Sequence, residues 1–314
     1  MLIYSDPVFM EHDTGNHPEN ARRLIPLTRL LERLVDQRGW TRPRWTAASE
    51  QLLRLVHDAE HIAEVRGTAA AGGGWMDADT IVSRRSFDVA CHAAGAVCDA
   101  VSRVVGGEDR RAFCAVRPPG HHALRSAAMG FCLLNNVAIG AALAVDKLGL
   151  NRVLVVDWDV HHGNGTQAIF WTEPRVAFLS MHRFPFYPGT GAADERGEGE
   201  GQGWTVNLPI TFGTAPAEQL QRFGEALAAL AERAKPELIM ISAGFDSHGE
   251  DPIGSLQWAS EDFAELTRMV TAQADRHAGG RVVSVLEGGY NPQALAASIE
   301  LHLDALEAGY QEGD

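Results

Sequence analysis

The chain has 314 residues, of which 45% are hydrophobic and 22% charged, a composition typical of one large α/β domain over residues 1–314 and not of a disordered chain. Its formal net charge of −14 argues against sequence-independent binding of nucleic acid, because such binding needs clustered Lys and Arg. No segment has the apolar length of a membrane span and the N-terminus lacks the pattern of a secretory signal, so we expect a cytoplasmic protein that does not bind membranes.

The first hundred residues are predicted to be mainly helical. Apolar residues recur three and four positions apart in the segments 19–35, 50–65 and 84–105, which is the spacing of amphipathic helices. Two glycine-rich stretches, 71–75 and 189–203, are predicted to form long surface loops. Loops of that length in a compact domain are usually functional or mobile.

Short apolar segments alternate with helical ones over the rest of the chain. A helical pattern covers 216–235, and another follows Ser260, which we expect to cap its helix. This alternation predicts a three-layer αβα fold with a central, mainly parallel sheet, whose ligands bind beyond the carboxyl ends of the strands. The predicted strands, buried on both faces, are 113–116, 153–156, 176–179, 238–241 and 282–286.

Polar side chains follow four of these predicted strands. Because the carboxyl ends of parallel strands meet at one edge of a sheet, we expect these side chains to lie close together. In chain order they are His121 and His122, then Asp157, Asp159 and His161, then Asp246, and finally Tyr290.

The DxDxH segment at 157–161 predicts a metal site. Alternation along an extended chain points Asp157, Asp159 and His161 to the same side, so that Asp159 and His161 can share one ion while Asp157 lies deeper. Asp246 would complete a set of three protein ligands, which leaves a fourth position open. Two carboxylates and one imidazole suit Zn²⁺ and are also compatible with Fe²⁺ or Mn²⁺.

The remaining groups suit acid-base chemistry. The imidazoles of His121 and His122 titrate near neutrality. Tyr290 follows two flexible glycines and can donate its phenol proton to an oxyanion. Each group alone is more often structural, but the whole set at one sheet edge indicates a hydrolytic site.

Five motifs, RPPGHHA, DWDVHHGNGTQ, FYPGTG, SAGFD and LEGGY, together resemble those of the histone deacetylase superfamily of zinc amidohydrolases and occur in that family's order. The HPEN at 17–20 is similar to its N-terminal signature, and the resemblance covers nearly the whole chain. Trp158 and Asn164 resemble class II members and the bacterial deacetylases and acetylpolyamine amidohydrolases. The resemblance implies an arginase/deacetylase-like fold in a single catalytic domain.

The resemblance also implies roles for the residues at the strand ends. Asp159, His161 and Asp246 would bind zinc, and Tyr290 would polarise the substrate carbonyl. His122 would deprotonate the attacking water and then protonate the leaving amine.

Three neighbouring residues would support this chemistry according to the same resemblance. His121 would be an electrostatic partner held by Asp157, and Asn164 would orient His122 where class I enzymes have an aspartate. Because an amide supports a charged imidazole less than a carboxylate does, the division of work between the two histidines stays open at this point.

The resemblance further implies a narrow substrate tunnel. Gly130 would accept a hydrogen bond from the substrate amide at its carbonyl, and Phe131 and Tyr187 would form aromatic walls around an alkyl chain. Core packing is the alternative for both rings. A gatekeeper position, seven residues after the second aspartate ligand, is Ile253 here.

A potassium ion is also implied by the resemblance. Its site would use Asp157, Ser180 and Met181 together with the backbone oxygens of Asp159 and His161.

The implied reaction is removal of an acyl group, most simply acetyl, from the amine of a lysine side chain by metal-activated water. In the family, a glutamate at the gatekeeper position accompanies a preference for acetylated polyamines, so Ile253 favours acyl-lysine. An acetylpolyamine or another small acylated amine is the alternative substrate. The acyl group preferred and the oligomeric state are not indicated by the sequence.

The alternatives are two other classes of protein. A ureohydrolase of the arginase type with two Mn²⁺ ions would need further bridging aspartates. A metal-stabilised binding protein without turnover would be expected to lack one of the reacting groups, yet His121, His122 and Tyr290 are all present.

Other polar residues are predicted to lie outside the reacting set. His57 and His61 have a metal-binding spacing but no third ligand, so we expect helix-surface residues. His162 is expected to support the metal site without binding the ion, and His248 to lie near its rim. The acidic residues of 194–200 either attract a cationic peptide or are simply solvated.

Overall fold

A computed structural model describes residues 1–308 of the chain. In this part of the chain seven strands form one parallel sheet: β1 (Leu2–Tyr4), β4 (Arg111–Cys114), β5 (Val153–Asp157), β6 (Val176–Arg183), β7 (Thr205–Ile210), β8 (Leu238–Ala243) and β9 (Val282–Leu286). Their order across the sheet is β1-β4-β9-β8-β5-β6-β7, and each neighbouring pair is parallel. This order brings β4, β9, β8 and β5, the strands that precede the predicted site residues, together at the centre.

Helices cover the sheet as two groups, α4 with α5, and α7 with α8 and α9. The three-layer αβα prediction is therefore confirmed. The helices are α1 (Leu24–Arg38), α2 (Glu50–Leu53), α3 (Ala59–Ala70), α4 (Ser86–Val105), α5 (Asn136–Asp146), α6 (Asn164–Ile169), α7 (Pro216–Ala234), α8 (Ser260–His277) and α9 (Pro292–Ala308). No helix among residues 1–308 is long and apolar enough to cross a membrane.

The central strands are buried along their whole length. Every residue of β5, β8 and β9 is buried, because helices cover both faces of the sheet. A strand covered on both faces needs apolar side chains without alternation, which explains the continuous apolar runs in the sequence. A rigid, dry sheet therefore supports the polar loops at its carboxyl edge.

Three local predictions differ from the structure. The helical segment 50–65 is interrupted between α2 and α3, where Asp58 N–H donates to Arg125 O instead of continuing a helix. The cap of α8 is not Ser260, which is its first residue, because the Asp262 carboxylate accepts the N–H of Ala259 (2.8 Å). A backbone bond to a distant residue in the first case, and a local side-chain bond in the second, compete with the simple periodic pattern.

The glycine-rich stretch 71–75 is not simply a surface loop. Its residues Gly73–Trp75 form strand β2, which pairs antiparallel with β3 (Ile81–Ser83). A Cβ at Gly73 would overlap Val82 O, so glycine allows the two strands to approach. The second stretch, 189–203, is a loop with one 3-10 turn at Gly199–Gly201, as predicted.

Candidate metal centre and active site

Asp159, His161 and Asp246 converge beyond the ends of β5 and β8, and all three are buried. His161 Nδ1 lies 3.0 Å from Asp159 Oδ1 and 3.2 Å from Asp246 Oδ2. One possible ligand atom from each residue lies within 4.8 Å of the other two. The structure therefore brings together the three residues for which the sequence predicts metal binding.

Backbone N–H groups fix the orientation of both carboxylates. Asp246 Oδ1 accepts the N–H of Val160 (2.9 Å), and Asp159 Oδ2 accepts the N–H of Gly288 (2.9 Å). A Cβ at Gly288 would overlap Asp246 Oδ2, so only glycine lets the chain pass this close to the carboxylates. Such outer contacts orient metal ligands and tune their affinity.

The electrostatics of these residues fit a divalent cation. Asp246 Oδ2 is buried and accepts no well-formed hydrogen bond. Burial and then repulsion by Asp159 raise the pKa of Asp246, so a second carboxylate charge is unfavourable there without a compensating cation. The donor set, two carboxylate oxygens and one imidazole nitrogen, suits zinc.

A second buried cluster, His121, Cys132 and Glu287, has the same spacing but fits a metal less well. Its atoms already have partners, since Cys132 Sγ faces Gly130 O (3.3 Å) and Glu287 accepts three hydrogen bonds. Burial also raises the pKa of the Cys132 thiol well above its ordinary value, which disfavours the thiolate that zinc requires.

His121 is paired with a deeper carboxylate. Its Nδ1 donates to Asp157 Oδ2 (2.9 Å), while Asp157 Oδ1 accepts the N–H of Asp159 (3.1 Å). Burial disfavours a charged ring, but attraction by Asp157 and Asp159 outweighs it and raises the pKa of His121 well above 6.5. His121 is therefore a cation at neutral pH in this arrangement.

His122 has a neutral partner. The Asn164 amide is oriented with Nδ2 toward Met129 Sδ (3.3 Å), so Oδ1 accepts a hydrogen bond from His122 Nδ1–H (2.7 Å). Burial, followed by repulsion from His121 and His161, lowers the pKa of His122 well below 6.5. With its proton on Nδ1, the neutral ring keeps a lone pair on Nε2.

A cavity of about 210 Å³ opens onto these groups. The Tyr187 ring lies 5.2 Å from that of His122, and the Phe131 ring 5.8 Å from that of Tyr290, measured between centroids. The cavity is lined by Asp79, His122, Gly130, Phe131, His161, Phe186, Tyr187, Ile253 and Tyr290.

Two lining residues were not predicted. Phe186 stacks on the ring of His161 at 5.2 Å, and its only signal in the sequence is its position next to Tyr187. Asp79 lies in the turn between β2 and β3. Nothing in the sequence indicated that this residue would line the cavity.

Gly130 and Phe131 adopt left-handed backbone conformations, with φ of 56° and 70°. A Cβ at Gly130 would overlap the His122 ring, so glycine lets the backbone pass beside it. Phe131 is unusual as a bulky residue in this region, and its N–H is held by Thr80 Oγ1 (3.1 Å). Strain of this kind is typical of functional sites.

Tyr290 is fixed by two residues that the sequence did not indicate. Its N–H donates to Asp251 Oδ2 (2.6 Å), and the guanidinium carbon of Arg23 lies 4.8 Å from its ring centroid. Arg23 also donates to Gly289 O (2.6 Å) and pairs with Glu19 (2.9 Å), both fully inside the protein. Burial raises the pKa of Tyr290 well above 10, so the phenol stays protonated.

The residues predicted to bind potassium lie on adjacent strands. Asp157 on β5 is paired in register with Ser180 on β6, and Met181 follows; all three are buried. Ser180 Oγ lies 2.9 Å from His182 Nδ1.

The prediction that His57 and His61 lie on a helix surface is wrong. Both are buried, because His57 precedes α3 and His61 faces inward from it. His57 Nδ1 donates to Leu124 O (2.9 Å), and His61 Nε2 lies 2.9 Å from Leu133 O. They support the loop that follows the His121–His122 pair.

Three other predicted neighbours occupy distinct places. His162 is buried between Thr190 Oγ1 (2.8 Å) and Gln167 Oε1 (3.0 Å). His248 does not line the cavity and instead lies in a separate groove beside Trp258. In the acidic stretch 194–200, Glu195 accepts the N–H of Gly191 and the amide of Gln167, while Asp194, Glu198 and Glu200 are exposed.

Comparisons with known proteins agree with this geometry. The family model of the histone deacetylase domain matches residues 17–306. A probable deacetylase of Archaeoglobus fulgidus is 37% identical, with 98% of this chain and 86% of the relative covered. A histone deacetylase-like amidohydrolase of Pseudomonas aeruginosa is 39% identical over 87% of this chain and 72% of that protein. The chain belongs to the histone deacetylase family, and membership supports a hydrolytic activity.

Two further comparisons concern a human relative and a solved structure. The human polyamine deacetylase HDAC10 is 44% identical over 97% of this chain, which spans 47% of that protein. The crystal structure of the HDA15 HD domain superposes with a TM-score of 0.91 at 34% identity, over 98% of this chain and 91% of that one. The arginase/deacetylase-like fold is thereby confirmed.

Proposed function

We propose that this protein is a zinc-dependent amidohydrolase that removes an acyl group, most simply acetyl, from the amine of a lysine side chain. One observation carries the proposal: a neutral imidazole, a protonated phenol and His161, one of the three residues that could hold a metal, line one narrow cavity. Zinc held by Asp159, His161 and Asp246 would polarise the amide carbonyl and lower the pKa of a water molecule. Fe²⁺ suits the same ligands.

The chain's own residues supply the proton transfers. His122 Nε2 takes the proton of the attacking water and then delivers it to the leaving amine. The charged His121 stabilises negative charge that develops nearby, and Asp157 holds it in place. Tyr290 donates a hydrogen bond from its phenol O–H to the oxyanion, which needs the protonated form that burial favours.

The shape of the cavity supports an extended alkyl substrate. Phe131, Phe186 and Tyr187 provide aromatic walls, and Ile253 adds an apolar side chain where a carboxylate would favour a second ammonium group. The carbonyl of Gly130 accepts the substrate amide N–H in this proposal. We extend it to a structural K⁺ ion held by Asp157, Ser180 and Met181 with backbone oxygens of Asp159 and His161.

An acylated polyamine is the second candidate substrate. Asp79 places a carboxylate in the lining of the cavity, and a relative that is 44% identical is named a polyamine deacetylase. A non-catalytic metal-binding protein is less well supported, because the reacting groups His121, His122 and Tyr290 are all in place.

The proposal is tested by metal content and turnover. Purified protein should hold one zinc and hydrolyse a fluorogenic acetyl-lysine peptide faster than N-acetylputrescine. His122→Ala and Tyr290→Phe should each lower kcat by about 10² to 10⁴-fold, because each removes a proton-transfer or oxyanion partner, while zinc is retained.

Matched controls are His248→Ala, outside the cavity, and Tyr4→Phe, whose hydroxyl bonds to Asp99. Both should keep the wild-type rate. Wild-type rates in His122→Ala and Tyr290→Phe as well would contradict the proposed mechanism. Faster turnover of N-acetylputrescine than of the peptide would instead favour an acylated polyamine as the substrate.

A further inference from the structure

Glu287 is a fully buried carboxylate to which the proposed mechanism gives no role. It directly follows β9. Its Oε2 accepts the N–H groups of Gly120 (2.6 Å) and His121 (3.2 Å), and its Oε1 accepts the hydroxyl of Ser242 (3.1 Å). A carboxylate is costly to bury unless donors surround it, so these three bonds hold the side chain in place.

The backbone of Glu287 makes two further hydrogen bonds to other segments of the site. Its N–H donates to Ala243 O (3.0 Å), and its carbonyl accepts Arg23 Nη2 (2.6 Å). Ala243 ends β8, whose following loop carries Asp246. One residue therefore joins three segments of the site: the loop with the two catalytic imidazoles, the end of β8, and the loop that leads to Tyr290.

The chain on either side of these contacts passes very close to its neighbours. Gly288 N–H is bound to Asp159, and a Cβ at Gly288 would overlap Asp246 Oδ2. A Cβ at Gly120 would overlap the backbone nitrogen of Asn136. The two segments that Glu287 connects are thus closely packed, and its carboxylate is the direct bond between them.

We propose that Glu287 is a positioning residue, whose carboxylate sets the separation of the His121–His122 imidazoles from the Tyr290 phenol by holding the backbone N–H groups of Gly120 and His121. The inference rests on the proposed function, since it matters for catalysis only if both sets of groups act on one substrate. The role is geometric and needs an acceptor, not a charge.

Glu287→Gln and Glu287→Ala separate geometry from charge. The glutamine amide oxygen can accept both N–H groups, and its NH₂ can donate to the Ser242 hydroxyl, which has free lone pairs. Alanine leaves both buried N–H groups without an acceptor, so the loop should relax. A displacement of about 1 Å in a catalytic group can cost 10²-fold in rate.

The experiment compares wild type, Glu287→Gln and Glu287→Ala with an acetyl-lysine peptide, measuring kcat, KM, the pH profile, zinc content and amide hydrogen exchange at residues 120 and 121. Glu287→Ala should lose about 10²-fold in kcat with KM and zinc retained, and its two amides should exchange faster. Glu287→Gln should stay within about 3-fold of wild type with an unchanged pH profile, because it restores the acceptor.

Thr267→Val is the control for general destabilisation, since it removes buried hydrogen bonds to Phe263 and His302 and none of the bonds that Glu287 makes. It should leave kcat unchanged. If Glu287→Ala does not fold, Glu287→Asp, one methylene shorter, takes its place with the same expected losses.

The outcomes are distinct. A wild-type rate in Glu287→Ala, or an equal loss in Glu287→Gln, overturns the positioning role. A wild-type protein without turnover refutes the proposed function instead, and the exchange rates then still decide whether Glu287 holds the loop.

Discussion

The ring centroids of His57 and His61 lie 5.0 Å apart, and those of His121 and His122 lie 4.0 Å apart. All four side chains are buried. In the first pair, burial lowers the pKa of both imidazoles, that of His57 to about 3. In the second pair, the pKa of His121 is raised and that of His122 is lowered.

The difference comes from the carboxylates near His121, first Asp157 and then Asp159. Asp157 accepts a hydrogen bond from His121 Nδ1, while His57 bonds only to neutral backbone groups, Leu124 O and the N–H of Asn135. A carboxylate close to one ring of a histidine pair favours the charged form of that ring, and the charged ring then favours the neutral form of its neighbour. Burial alone favours the neutral form of both rings. Buried histidines therefore indicate catalysis only together with an asymmetric charge and an open cavity.

Asp157→Asn should have the largest effect, because it removes the hydrogen-bonded carboxylate that distinguishes the His121–His122 pair from the His57–His61 pair. The pKa of His121 should fall because its hydrogen-bonded carboxylate is gone, and the proton transfer by His122 should be less well supported by a charged neighbour. We expect kcat on the acetyl-lysine peptide to fall by about 10²-fold or more, with zinc content preserved. Asp99→Asn, which alters a partly exposed carboxylate bound to Tyr4, is the control and should keep the wild-type rate. An unchanged kcat in Asp157→Asn would contradict the division of charge.

Asn164→Asp tests the opposite change, because it adds a carboxylate instead of removing one. It gives His122 a carboxylate of its own, so the pKa of that imidazole should rise by about 1 to 3 units. Since the base must be neutral to accept a proton, the acidic limb of the profile of kcat/KM against pH should move upward by the same amount. The variant should therefore lose more of its rate at acidic pH than the wild type does, and should recover it at higher pH. A limb that does not move would show that Asn164 does not contact the catalytic base.

The site residues at the strand ends could be predicted because parallel strands end at one edge of the sheet. Motif spacing placed Asp159, His161 and Asp246 together without any knowledge of packing. Glu19 and Arg23 could not be predicted in the same way. Their spacing of four fits a surface ion pair on a helix, and only the fold shows that both are buried beneath Tyr290.

The wrong assignment of His57 and His61 has a similar cause. Periodicity over 50–65 suggests one helix, but the chain leaves the helix after Leu53 and restarts at Ala59. This break changes which side of the helical segment is buried. It depends on the hydrogen bond from Asp58 N–H to the distant Arg125 O, which a local sequence pattern does not show. Asp251 and Glu287 were missed for the same reason, since their backbone partners leave no mark in the sequence.

The smallest expected effect is on the free energy of unfolding, and it concerns His57 of the His57–His61 pair. His57 in the unfolded chain titrates near 6.5, whereas burial lowers its pKa in the folded protein to about 3. The unfolded state therefore binds more protons between these values, and stability is present above pH 6.5 and lost as the pH falls toward 3. Each pH unit in this range should cost about 1.4 kcal/mol through this residue.

His57→Gln measures that contribution, because its amide can donate to Leu124 O and accept from Asn135 as the neutral ring does. Urea unfolding of wild type and variant at pH 7 and pH 5 should give a free energy of unfolding that falls less steeply in the variant. The difference should be about 2 kcal/mol over the two pH units, allowing for the partial titration of the unfolded state near 6.5. Turnover at pH 8 should be the same in both proteins. Equal slopes would mean that His57 takes up its proton without unfolding, and that backbone carbonyls alone can stabilise a charged imidazole in this position.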